Sequence, residues 1–144
     1  SGLKLCGVKI NYNKLIGHSD ADVGIHAICD SIFGALSMKD IGYYFSNKDK
    51  KYKNKNSEYF LKFAKKKLKE RKFFISNLDI NFICEKPNIN KFRDKMISKI
   101  SSILEIPTNI ISIKATSNEK IGFIGDGLGI AAESIVQISN EKLY

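Results

Sequence analysis

The sequence predicts an α/β sandwich: a mixed sheet of mainly four strands with helices packed on one face. Three observations carry that expectation. Apolar and polar residues alternate in short stretches, apolar residues recur at helical spacing in three longer ones, and the segments run strand, helix, helix, strand, helix, strand, strand. At 144 residues the chain has room for one substantial core, so residues 1–144 read as a single domain.

The first strand, LKLCGVKI (3–10), ends in the turn-like NYN. The segment DADVGIHAICDSIFGAL (20–36) is helical in period and apolar on most sides, which makes it a buried helix, with Ser19 or Asp20 placed to cap its start. A second helix, SEYFLKFAKKKLKERK, follows a cap at Asn56 or Ser57; Tyr59, Phe60, Phe63 and Leu68 form its inner stripe and its lysines face out. In NLDINFICE (77–85), Leu78, Ile80, Phe82 and Cys84 alternate with polar partners, as on a strand with one wet face. Met96, Ile97, Ile100 and Ile103 repeat at helical spacing between Lys91 and Leu104. IISIKAT (110–116) and LGIAAESIVQIS (128–139) complete the set as strands.

The net charge is +9, and all of it resides between Lys48 and Lys72; the other 119 residues balance. Of the basic residues 22 are Lys and only Arg71 and Arg93 are Arg, whereas bidentate phosphate and base recognition favours Arg. One lysine-rich loop and helix on a neutral body therefore reads as a solvated periphery, and nucleic acid is not expected as a partner. Lys, Ile and Asn fill 56 positions, the usage of an AT-rich coding genome. No apolar run reaches the ~18 residues of a membrane span, so no membrane partner is expected. Cys6, Cys29 and Cys84 are spaced like neither a zinc knuckle nor a redox pair, and read as buried apolar residues in a reducing compartment.

Three polar clusters stand out. In GHSDADVGIHAICD (17–30), Asp22, His26 and Asp30 fall at i, i+4 and i+8 and share a helix face. A core histidine bonded to a neighbouring Asp explains part of this; a metal ligand held by an Asp behind its second ring nitrogen explains more. In KDIGYYFSNKD (39–49), the carboxylates and Asn suit hydroxyl groups, and Gly42 allows close backbone approach. In KATSNEKIGFIGDGLGI (114–130), hydroxyls at a strand end precede a loop with Gly122, Gly125 and Gly127, which suits phosphate oxygens.

The segments GHSDADVGIHAICDSIFGALSMKDIGYYF and KATSNEKIGFIGDGLGIAAE, in this order, closely resemble the two signatures of the 2-C-methyl-D-erythritol 2,4-cyclodiphosphate synthases of the non-mevalonate isoprenoid pathway. The resemblance covers nearly the whole chain. It implies a lyase that closes 4-diphosphocytidyl-2-C-methyl-D-erythritol 2-phosphate on itself: the 2-phosphate attacks the β-phosphorus and CMP leaves. It also implies a homotrimer around a central axis with active sites between subunits, one side binding metal and the other cytidine.

Carried over residue by residue, the resemblance makes His26 a zinc ligand, with Asp22 and Asp30 behind it, and Glu119 the ligand of Mg2+ or Mn2+. His18 and Ser117 become the catalytic pair that positions the reacting phosphates. Ser19, Asp40, Ile41, Gly42, Phe45, Asn47, Asp49 and Phe123 become substrate contacts. Cys84, Glu85, Lys86, Pro87, Asn88, Ile89 and Asn90, with Ala115 and Thr116, become the cytidine pocket. Phosphoryl transfer needs alignment and charge neutralisation rather than a covalent nucleophile, so the absence of a Ser-His-Asp set fits.

The sequence departs from the family pattern in three places. The N-terminal DxH metal pair is absent from the given residues, Asn47 stands where the family has an acid, and Asp126-Gly127-Leu128 replaces the GRxEG that can hold an anion on the trimer axis. A metal-free structural trimer is the alternative those departures raise, and a basic nucleic-acid-binding domain using Lys48–Lys72 is a further, weaker one. The AT-rich composition in this pathway suggests the lumen of an apicoplast-like plastid, with bacterial cytoplasm as the alternative.

Overall fold

The computed structural model describes residues 2–13 and 21–144, and its elements follow from local chemistry. Strands β1 (Leu3–Leu5) and β2 (Val8–Ile10) form an antiparallel hairpin turned by Cys6 and Gly7, both at positive φ. The expected single strand over 3–10 is thus two strands, because the LCG step reverses the chain. Helix α1 (Val23–Ala35) buries Ile25, Ile28, Cys29, Ile32 and Phe33. Its N-cap is Asp22 rather than Ser19 or Asp20; the Asp22 carboxylate accepts the Ile25 amide at 3.0 Å, the third helical residue, as a side-chain cap does.

A short helix α2 (Ile41–Tyr44) follows, capped by Asp40, and then α3 (Ser57–Glu70), capped by Asn56. Phe60, Leu61, Ala64 and Leu68 make the inner face of α3. Tyr59, expected on that face, is 46% exposed and lies edge-on to Phe45 and Phe60 with the Lys55 ammonium over its ring. The inner stripe is offset because Leu61 and Ala64, not Tyr59, meet the core.

Strand β3 (Phe74–Ile83) is the centre of the sheet, with β4 (Ile111–Thr116) parallel on one side and β5 (Ala131–Ser139) antiparallel on the other. Helix α4 (Arg93–Leu104) connects β3 to β4. A single helical turn, α5 (Gly122–Gly125), leads into β5. Among the described residues the main sheet therefore has three strands rather than four, the β1–β2 hairpin being a separate sheet.

Leu78, Ile80, Phe82 and Ile113 point to the helical layer, as does Ser134, whose hydroxyl lies 3.0 Å from that of Ser31 on α1. On the opposite face Asp79 sits beside Ile135 and Asn81 beside Glu133, and Lys114 bonds the Asp79 carboxylate. The helices thus cover one face only, as expected. No helix among the described residues is long and apolar enough to cross a membrane.

The buried centre is pinned at Asp22. Besides capping α1, its wholly buried carboxylate accepts the amides of Cys6 at 2.8 Å and Gly7 at 2.7 Å, so one side chain ties the hairpin turn to the helix start. Gly24 permits this approach, since a Cβ there would lie 2.6 Å from the Cys6 sulfur and 2.9 Å from the Phe82 ring. Cys6, Cys29 and Cys84 are free and buried, and burial pushes all three thiols up. Removing the Asp22 acceptor strands buried amides, so Asp22→Ala should lose about 3 kcal/mol or more of unfolding free energy in urea titrations. Asp22→Asn, which keeps one acceptor oxygen, should lose distinctly less; equal losses would show that the carboxylate is not the tie.

Candidate active site

The expected site residues fall into two groups. The first lies where α1 meets the N-terminal end of α3. His26, half-buried, points its Nε2 at the hydroxyl of Ser57, 2.9 Å away, and its ring leans on Phe60 at 6.0 Å. Ser57 is wholly buried at the first position of α3. Sequence reading placed it only as a possible cap; its real use depends on the packing of two helices 31 residues apart, which no local pattern encodes.

Asp22 and Asp30, expected behind the His26 ring, both accept backbone amides. Asp22 caps α1, and Asp30 accepts the Ile41 amide at 2.8 Å, which holds the start of α2 against α1. Asp40 is exposed and caps the same turn through the Tyr43 amide at 2.9 Å. Gly42 beside it is exposed, and Ile41 is half-buried against the core.

Phe45, expected at the substrate, has its side chain in the core. It is 7% exposed and sits among Tyr52, Tyr59, Phe60 and Phe63 at centroid distances of 4.6–5.8 Å. Its size and apolarity favour that aromatic cluster over a polar site. Asn47 is exposed, and Asp49 caps a short 3-10 turn through the Lys51 amide at 3.1 Å. His18 and Ser19 lie outside the described residues.

The second group gathers at the carboxyl ends of the parallel pair β3 and β4. Their register aligns Ile83 with Thr116, and the Cys84 amide donates to the Thr116 carbonyl at 3.1 Å. The chain segments after each strand therefore leave side by side. Glu85 joins them: its Oε1 accepts the Asn118 amide at 3.1 Å and the Lys120 amide at 2.9 Å.

Within the loop so held, the Ser117 hydroxyl accepts the Glu119 amide at 3.3 Å and approaches the Glu119 carboxylate at 3.5 Å. Ser117 and Glu119 are exposed, as are Ala115 and Thr116. Glu119 and Lys120 both have positive φ, a compact turn that Gly125 packs under; a Cβ there would overlap the Lys120 backbone. Phe123 stands 66% exposed above Gly129.

Lys86, Asn88 and Asn90 are exposed, and Pro87 is half-buried behind a cis peptide. Asn88 caps the turn through the Asn90 amide at 3.1 Å. The side chains of Cys84 and Ile89 belong to the core, so only their backbone can face a ligand; an apolar side chain between polar neighbours is drawn inward. Burial, then the neighbouring Glu85 charge, keeps the Cys84 thiol protonated. Among the described residues no three His, Cys, Asp or Glu side chains converge as a metal cluster. His26 and Glu119 each offer a single donor of fitting chemistry, an imidazole for zinc and a carboxylate for Mg2+ or Mn2+.

Mixed α/β proteins of this layout with a strand-end loop site include a class of small lyases, and the comparisons place the chain there. Residues 1–139 match the YgbB family, and the chain belongs to that family. The 2-C-methyl-D-erythritol 2,4-cyclodiphosphate synthase of Ehrlichia canis is 47% identical over 93% of this chain and 78% of its own length. A Wolbachia pipientis "Bifunctional enzyme IspD/IspF" is 48% identical over 94% of this chain, which covers 34% of that longer protein. Among solved structures, a CDP complex of IspF from Plasmodium falciparum superposes with a TM-score of 0.85 at 38% identity, covering 95% of this chain and 82% of that one.

The chain accordingly has the cyclase activity of that family: it closes a cytidine diphosphate of methylerythritol phosphate into a cyclic diphosphate in isoprenoid synthesis. If Glu85 holds the two strand-end segments together, Glu85→Ala should weaken CMP binding about tenfold in calorimetry, the loss of roughly one good hydrogen bond to a charged group. The melting temperature should move by only a few degrees, because the bonded amides are at the surface. Unchanged CMP affinity would remove Glu85 from the site.

Proposed function

We propose that the two groups are half-sites, one for metal and one for cytidine, that neighbouring copies of a homotrimer bring together. The observation that carries this reading is the Glu85 clamp, which fixes the Ser117–Glu119 loop beside the Cys84–Asn90 turn at the end of a parallel strand pair. Support for copies meeting comes from apolar side chains left on the surface: Phe123 at 66%, Leu128 at 77% and Ile135 at 73% exposure. Ile135 lies on the sheet face that no helix covers.

In this reading the backbone of Cys84–Asn90, with Ala115 and Thr116, receives the cytidine. Ser117 donates its hydroxyl to a phosphate oxygen, giving up its present contact with Glu119 as it does so. Asp40 and the exposed Gly42 backbone meet substrate hydroxyls, and Asn47 and Asp49 border the erythritol. An oxygen of the 2-phosphate forms the new bond to the β-phosphorus while the bond from that phosphorus to the bridging oxygen breaks, and CMP departs with that oxygen. The protein's part is to hold the two phosphates in line.

His26 would hold zinc and Glu119 Mg2+ or Mn2+; bound there, the ions supply Lewis-acid neutralisation of the phosphate charge. Ser57 fixes the His26 ring through Nε2 and sets its orientation. Asp126 stands where a basic residue would be needed to hold an anion on the trimer axis. The Ehrlichia and Wolbachia relatives, at 46–48% identity, are bacterial, against 38% for the Plasmodium falciparum structure, which supports bacterial cytoplasm over a plastid lumen.

Zinc content by mass spectrometry and CMP release, measured on the same preparations, test the assignment. His26→Ala should lose both, whereas Glu119→Gln should retain zinc and lose its response to Mg2+. Retained zinc in the first, or a normal Mg2+ response in the second, removes the residue from its role. Ser57→Ala should release zinc to a chelator roughly tenfold more readily while binding CMP as before. Ser117→Ala should lower kcat with little change in CMP affinity.

A further inference from the structure

The lysines set aside as a solvated periphery do not simply radiate into water. Lys62, Lys65, Lys66 and Lys69 line one side of α3, Lys72 follows its end, and Lys142 comes from the chain beyond β5; all six border one groove of about 900 Å³. Its floor is apolar, formed by Leu68, Phe74, Ile103 and Ile106, with Tyr144 on one wall. The groove lies at the start of β3, whereas the cytidine turn follows its other end. The nine residue steps from Phe74 to Ile83 separate them by about 30 Å of extended strand.

This arrangement works against the fold's own stability. Lys62 and Lys66, and Lys65 and Lys69, are like charges at i and i+4 on one helix, which weakens the helix rather than supporting it. Only part of the charge is answered locally: Lys65 reaches Glu105 at 3.0 Å, Lys62 reaches Glu58 at 3.5 Å and Lys66 reaches Glu70 at 4.0 Å. Lys69 acts on the Glu105 carboxyl without closing an ion pair, and Lys72 and Lys142 make no ion pair among the described residues. A recessed apolar floor rimmed by unanswered ammonium groups complements a ligand with apolar side chains flanked by carboxylates.

We infer that this groove docks an acidic, amphipathic segment of another protein, whose apolar side chains enter the floor while its carboxylates meet Lys69, Lys72 and Lys142. A nucleic-acid strand fits less well. The apolar floor offers nothing to a sugar-phosphate backbone, and the rim holds no arginine. An acidic helix in a groove of this kind is a recurrent mode of protein recognition. The inference concerns a surface at the opposite end of β3 from the cytidine turn and does not depend on the assignment of the catalytic groups.

Fluorescence anisotropy on the full chain tests it, with a short labelled peptide in which Glu and Asp alternate in helical register with Leu and Phe. The peptide should bind, and binding should weaken as salt is raised. Lys69→Gln, Lys72→Gln and Lys142→Gln together should reduce affinity at least about tenfold, equivalent to ~1.4 kcal/mol, while CMP release stays at the level of the unaltered chain. Tyr144→Ser, at a side chain 40% exposed, should also weaken the peptide. A control peptide with Ser in place of Leu and Phe should bind at least about tenfold less well. No binding, equal binding of the control peptide, or equal competition by oligothymidylate or inorganic tripolyphosphate would overturn the inference.

Discussion

One carboxylate sets the frame for the rest. Asp22 is buried, and its two oxygens accept backbone amides from the β1–β2 turn and from the first turn of α1. A buried charge costs several kcal/mol unless it is fully bonded, and three amide donors supply that bonding here. The result is a fixed starting point and direction for α1. Everything that α1 carries inherits that position: His26 toward Ser57, Asp30 toward the α2 amide, and Ser31 toward β5. A helix anchored only by apolar packing could rotate by a fraction of a turn at little cost; one whose first turn is bonded to a hairpin cannot.

The second constraint is the parallel pairing of β3 and β4. Parallel neighbours bring two carboxyl ends to the same edge, so the segments that follow them meet without long loops. Glu85 then spends its carboxylate on the Asn118 and Lys120 amides, converting adjacency into a fixed spacing. The antiparallel strand β5 serves a different end. It leaves one sheet face uncovered by helices and places Ile135 there, a surface suited to another protein rather than to water.

Much of this was legible from the residues. The alternation of Leu78, Ile80, Phe82 and Cys84, and the helical spacing of Met96, Ile100 and Ile103, give element type and core face correctly because both are simple consequences of period. Boundaries shifted where a side chain had a choice of backbone partners, as with Asp22 capping in place of Ser19 or Asp20. The four-strand expectation failed because β1 and β2 pair with each other through a turn that no periodicity distinguishes from a continuous strand. At the site, local proximity was readable: Ser117 and Glu119 do meet. What was not readable was burial by tertiary contact. Phe45 and Ile89 lie in segments that look polar and functional, yet their side chains are claimed by the core. Ser57 is the reverse case, an ordinary helix-start residue given a role by a helix packed against it.

Phe45 has a mechanical consequence. Wedged among four aromatic rings, it divides the segment from Asp40 to Asp49 into two parts with different anchors. The part before it is bolted to α1 through Asp30 and Ile41. The part after it, from Ser46 to Asp49, hangs from a fixed pivot and is shaped mainly by its own short-range bonds. Changes of length or charge in that outer part, such as the Asn at position 47, are absorbed beyond the pivot and do not reach the helix that carries His26. The fold thus sets one buried ring between a stretch of chain tied to α1 and the turn from Ser46 to Asp49.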